Sequence, residues 1–193
     1  MIYFICAFEA EARALIDYYK LQKEPSLPYP LFFNDEMVIL VSGMGQENAK
    51  NSTDYLLSRY PHKNDDVLIN LGICAAKEKF PIGSLLCVQT LQNESESFEL
   101  KHLNSALEKA SCFSSEQALS QASETDIAEM EAISIYKAAS ASFAPSKIIF
   151  LKVVSDHFKP FKIKKQFIID LIKPHIKAID AHIQQIQGDT DVR

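Results

Sequence analysis

Acidic residues at three junctions of this 193-residue chain have the side chains and the settings that bond-breaking chemistry needs. Glu129 and Glu131 flank a methionine in Ile127-Ala-Glu-Met-Glu-Ala-Ile133. Two residues apart, they would lie about 200° apart around a helix and cannot share a helical face. An acidic turn (Ser123, Glu124, Asp126) precedes the stretch, and Ile133, Tyr136, Lys137 and Ser140 continue it at helical spacing. The spacing predicts a helix that starts here, with free backbone N–H groups and the positive dipole end beside Glu131. A carboxylate so placed stays ionised and can accept hydrogen bonds from a pair of ligand hydroxyls. The plainer alternative is two first-turn acids that merely stabilise the helix. Glu11 follows the apolar run 2–8 and stands in the first turn of a helical pattern over 9–19. Asp156 follows the apolar run 147–154, in Ser155-Asp156-His157-Phe158. Ligands of open α/β sheets bind beyond the carboxyl ends of strands, where both acids fall. Glu11 alone reads equally well as a first-turn acid facing water, but Glu11, Glu131 and Asp156 together at such junctions favour a shared site.

The elements that must position these acids can be read from periodicity. Continuous apolar runs at 2–8, 67–71, 82–90 and 147–154 read as buried strands. Residues 31–34 and 37–41 read as a hairpin over Asn34-Asp35-Glu36, after a link rich in proline (Pro25, Pro28, Pro30). Ser42-Gly43-Met44-Gly45 makes a tight turn before a helix over about 47–59, but no third glycine completes a dinucleotide fingerprint. Residues 93–123 are polar and serine-rich, with one strand expected at 110–113. A long amphipathic helix over 164–187, interrupted at Pro174, closes the pattern, and 188–193 read as a frayed tail. Strands alternating with helices imply an α/β fold, one domain over 1–187 with a central mixed β-sheet flanked by helices.

Composition narrows the function. At 47% hydrophobic residues the chain can bury a sizeable core, and its net charge of −5 argues against a phosphate-backbone binder of nucleic acid. The lysines at 159, 162, 164 and 165 read as a solvated face of the last helix. Cys6, Cys74, Cys87 and Cys112 form no CxxC pair, and five histidines show no ligand spacing to them. Free buried thiols in a reducing, cytoplasmic compartment are therefore expected, with no metal site and no cofactor. The apolar run at the start is too short for a membrane span, and no membrane partner is expected.

Taken in order, the stretches Cys6-Ala-Phe-Glu-Ala-Glu11, Val41-Ser-Gly-Met-Gly45, Asn70-Leu-Gly-Ile-Cys-Ala75, Ala128-Glu-Met-Glu-Ala132 and Val153-Val-Ser-Asp156 resemble the motifs of the nucleoside phosphorylase superfamily. Within it they look most like 5′-methylthioadenosine/S-adenosylhomocysteine nucleosidases. The resemblance covers about residues 1–90 and 125–187. It implies a nucleoside phosphorylase-like fold and hydrolysis of an N-glycosidic bond in an adenine-type nucleoside such as methylthioadenosine, S-adenosylhomocysteine or aminodeoxyfutalosine. Glu131 would hold the ribose hydroxyls, with Met130 against the sugar and Glu129 beside them. Asp156 would protonate the purine, Ser155 would position Asp156, and Glu11 would orient or deprotonate the attacking water. Met44 would line the pocket for the 5′-substituent. The resemblance also implies a homodimer.

Other readings stay open. Phosphorylases of the superfamily carry arginine near the first strand, whereas this chain has only Arg13 and Arg59 in its first half and Ile73 where a hydroxyl is usual. A phosphate dianion needs fixed cationic donors, so water is the expected nucleophile. A purine nucleoside phosphorylase or a futalosine hydrolase is the alternative. The segment before Glu129 is shorter than in the family, with Ala118 or Leu119 where a base-stacking phenylalanine is usual and Phe113 the candidate substitute. These departures support a third reading, a catalytically silent nucleoside-binding protein.

Overall fold

The structure, a computed structural model, describes residues 1–25, 28–100, 106–159, 162 and 164–188. Strand β1 (Ile2–Cys6) is apolar on both faces and fully buried, because parallel strands cover both of its edges. One neighbour is β4 (Met37–Val41), which forms the expected hairpin with β3 (Leu31–Phe33). Asn34 closes that hairpin, its Oδ1 accepting the amides of Glu36 and Met37 at 2.9 and 2.8 Å. The edge is the short polar β2 (Gln22–Glu24).

The other neighbour, β5 (Val67–Ala76), is the longest strand among the described residues and organises the site. Its first half pairs with β1, and its last two residues pair with β9 (Ile127–Glu129). Its other edge runs parallel to β10 (Ile148–Asp156). From β10 the pairing passes to β6 (Leu85–Gln92), to β8 (Glu108–Ser114), and through β9 back to β5. The mixed sheet thus closes on itself through five strands, while β1, β4, β3 and β2 extend from it. A strand of ten residues makes this possible, since it can serve two partners along one edge. The short β7 (Ser97–Glu99) pairs with β6.

Helices cover both faces. Ala12 and Leu15 of α1 (Glu9–Tyr19), Ile168 and Ile172 of α4 (Lys165–Ile172), and Ile179 and Ile183 of α5 (Ile176–Gly188) pack one core with Phe4, Ile39 and Ile69. Ala49 and Leu56 of α2 (Gln46–Arg59) and Ile133 and Ala139 of α3 (Ala132–Ala139) pack the other with Tyr3, Leu40, Leu68 and Phe150. All four cysteines are buried, and none is in a disulfide.

Several expectations need correction. The segment before α3 is the strand β9 rather than a bare turn, and β2 and β7 were not legible either. The strand expected from residue 82 starts at Leu85, after a turn at Gly83 with φ +89°. The last helix is split at the proline by a short 3-10 turn (Lys173–His175). Lys159, Lys162 and Lys164 precede α4, so only Lys165 of that run lies on a helix. Helix α5 runs through Gly188, the first residue of the expected tail, and residues 189–193 lie outside the described residues.

Candidate active site

Glu11 sits in the gap that opens on β5 between its two partners. Strand β1 leaves β5 after Asn70, and β9 arrives at Ala75. The unpaired amide of Ile73 donates instead to Glu11 Oε1 at 2.9 Å. Glu11 Oε2 accepts the Phe8 amide, also at 2.9 Å, at the start of α1. The side chain is 2% exposed, and burial pushes its carboxyl above the usual range while the two amides act against that shift. Gly72 is required here: a Cβ at that position would lie 2.9 Å from Glu11 Oε1.

Glu131 is the N-cap of α3, as its spacing predicts. Its side chain turns away from its own helix, and Oε1 accepts the Gly45 amide at 2.7 Å. The turn that offers this amide has positive φ at Gly43 (+83°) and Gly45 (+95°), a conformation open to glycine. Burial, and then the neighbouring Glu129, push the Glu131 carboxyl up to about 7, which corrects the expectation that its place at the helix start keeps it ionised.

Glu129 ends β9, and its Oε2 gathers three donors. These are the amides of Glu131 and Ala132, each at 2.9 Å, and Lys152 Nζ at 3.0 Å. Its Oε1 is buried and has no partner among the described residues. Sequence reasoning missed Lys152. The available signal was a lone lysine inside the apolar run of β10. Burial opposes its charge, but Glu129 and Glu131 outweigh that cost and hold the ammonium above the usual lysine range.

Asp156 ends β10. Its Oδ1 accepts the Lys159 amide at 3.0 Å, and its Oδ2 lies 2.9 Å from Ser155 Oγ. Ser155 Oγ also lies 3.0 Å from the Cys74 carbonyl, so it ties the Asp156 carboxyl to β5.

All seven residues singled out from the sequence (Glu11, Met44, Glu129, Met130, Glu131, Ser155 and Asp156) line one half-open cavity of about 160 Å³. Met44 stands at its mouth, 54% exposed. Ala118 and Leu119 line it too, but Phe113 does not, and faces a neighbouring groove instead. Phe8 is the one aromatic lining the cavity among the described residues. Cys74 also lines it, yet burial holds its thiol far above the usual value, so it stays protonated and is no nucleophile. Among the described residues no three His, Cys, Asp or Glu side chains are grouped as a metal site would group them. No described helix is long and apolar enough to cross a membrane.

No family model and no curated relative matches the sequence. Solved structures do match. A 5′-methylthioadenosine/S-adenosylhomocysteine nucleosidase from Helicobacter pylori, bound to butyl-thio-DADMe-Immucillin-A, superposes with a TM-score of 0.77 at 12% identity, over 95% of this chain and 97% of its own. The 5′-methylthioadenosine nucleosidase of Arabidopsis thaliana gives 0.74 at 14% identity, over 100% and 96%. The futalosine hydrolase of Helicobacter pylori gives 0.77 at 12% identity, over 95% and 97%. The chain therefore has the α/β fold of these nucleosidases.

Proposed function

We propose that the chain is a nucleosidase that hydrolyses the N-glycosidic bond of an adenine-type nucleoside, with methylthioadenosine, S-adenosylhomocysteine or aminodeoxyfutalosine as the candidate substrates. The observation that carries this reading is the convergence of Glu11, Glu131 and Asp156, from three separate junctions, on one cavity. Rupture of the bond leaves positive charge on the sugar and negative charge on the base. Asp156 protonates the departing base, and Ser155 and the Lys159 amide fix the plane of its carboxyl. Glu131 accepts the ribose hydroxyls, with Met130 and Glu129 beside it. Glu11 takes a proton from the attacking water. Its oxygens each hold one amide and keep a second lone pair for that task. The buried carboxylates also favour the cationic sugar. Met44 borders the 5′-substituent.

Water is the nucleophile in this reading because no arginine or lysine lines the cavity among the described residues, and the buried Lys152 nearby is engaged by Glu129. A phosphorylase would need such a donor. The futalosine hydrolase alternative is supported by the matching structure of that activity. The open wall at Ala118 favours a weak or silent protein, since base–aromatic stacking elsewhere is worth about 1–3 kcal/mol per base. The reading includes a homodimer, supported by the exposed apolar side chain of Met44 at the mouth, which a second copy would cover. It also includes a cytoplasmic location, supported by four buried cysteines that form no disulfide.

The test is release of free base from the candidate nucleosides with and without phosphate, by wild type and Asp156→Asn. Phosphate-independent release, lost in Asp156→Asn with nucleoside binding retained, is expected. Release only with phosphate would establish a phosphorylase, and no release would leave the silent reading.

A further inference from the structure

Lys152 is buried on a strand whose neighbouring positions are apolar, and 1% of its side chain is exposed. A charge in such a place is costly unless it is matched and hydrogen-bonded. Its match is Glu129, also 1% exposed, through the 3.0 Å contact of Nζ with Oε2. That oxygen is the same one that accepts the amides of Glu131 and Ala132. A helix N-cap commonly satisfies its first turn with its own side chain. Glu131 makes no such bond, because its carboxyl is turned to the Gly45 amide. Capping of α3 therefore falls to Glu129, two residues upstream, and to Ser114, whose Oγ accepts the Ile133 amide at 3.2 Å, and Glu129 is anchored by Lys152. Only Oε2 is held, since Oε1 has no partner among the described residues. Without Lys152 only the two amides would hold the side chain, and its buried charge would have no counter-charge.

We propose that Lys152 is a positioning residue: acting through Glu129, it fixes the start of α3 and so aims the Glu131 carboxyl at the Gly45 amide and the cavity. The inference rests on the nucleosidase reading where it concerns the sugar, because Glu131 is the group assigned to the ribose hydroxyls. The titratable groups that feel the charges of this tether are Glu11 on α1, Cys6 on β1, Cys74 on β5, Cys112 on β8 and Glu131 at α3. Lys152 is the one cation in that set among the described residues, so its removal has a readout beyond packing.

The experiment combines carbon-13 NMR of labelled glutamate carboxyls with equilibrium binding of methylthioadenosine and of free adenine. In Lys152→Met the Glu131 titration midpoint is expected to rise by about one unit or more. The amide signals of Glu131 and Ala132 should shift, and nucleoside affinity should fall on the order of tenfold or more, with adenine affinity held. Lys152→Arg keeps the charge and the donor and should restore all three. Wild-type titration and affinity in Lys152→Met would overturn the proposal. If that variant does not fold, the pair Lys152→Met with Glu129→Gln removes both charges. A nucleoside loss of the same size then supports the tether, and wild-type affinity overturns it. The NMR arm needs no turnover. Failure of wild type to release base would sink the nucleosidase reading alone and leave the titration to decide on Lys152.

Discussion

Glu131 can change charge near neutral pH, because burial and Glu129 hold its carboxyl at about 7. Below that value it is neutral, and above it the ionised form accepts hydroxyl hydrogens best. Nucleoside affinity measured by calorimetry is therefore expected to rise between about pH 6 and pH 8, and the rise should vanish in Glu131→Gln. The effect on stability has the opposite sign. The folded value lies above the ordinary 4.5, so this contribution is full below 4.5 and is lost as pH rises through about 7. Gly72 gives a second prediction. A Cβ there would lie 2.9 Å from Glu11 Oε1, and Glu11 has little freedom to yield while two amides hold it. Gly72→Ala should cost about 1–3 kcal/mol in urea unfolding and lower base release more than Ala75→Gly, a nearby change that adds no atoms. At this scale the sequence showed the acids but not their partners. The lone lysine in β10 was visible, whereas its pairing with Glu129 depends on where two distant strands run.

Among the elements, α5 carries a buried histidine. His182 is 5% exposed, its Nε2 has no partner among the described residues, and burial lowers its pKa below the ordinary 6.5. The unfolded chain therefore binds its proton at a higher pH than the folded chain does. Stability from this group is full above about 6.5 and is lost as pH falls towards the folded value. The melting temperature should drop between about pH 7.5 and pH 5.5, and His182→Leu should flatten that part of the profile. The same element shows why helices were legible. Ile176, Ile179, Ile183 and Ile186 recur at the helical period and all are buried. Three-residue strands offer no such repeat. In β9, Ile127-Ala-Glu129 reads locally as the approach to a helix, and only its ladders with β5 and β8 make it a strand.

Across the whole molecule, closure of the sheet puts β10 between β5 and β6, with helices over both faces. Phe150 on β10 is fully buried, with the ring of Tyr136 6.4 Å away. Phe150→Ala should cost about 3–5 kcal/mol. Because one sheet carries both cores, the loss should appear as one cooperative shift in urea, with helix and strand signals moving together. Two separated transitions would show that the two faces unfold independently.

Burial patterns repeat within a few residues, so apolar runs and helical periods were enough to reveal the α/β alternation, the hairpin over Asn34 and the acids at element ends. The closed ring was not written in any run, because strand pairing is set by contacts between segments far apart in the chain. The same holds for the site. Gly45 donates to Glu131 across 86 residues, and Ile73 to Glu11 across 62. Local pattern marks which residues can carry charge at the end of an element, but backbone amides and a buried counter-charge reach them only after the sheet has brought distant strands side by side.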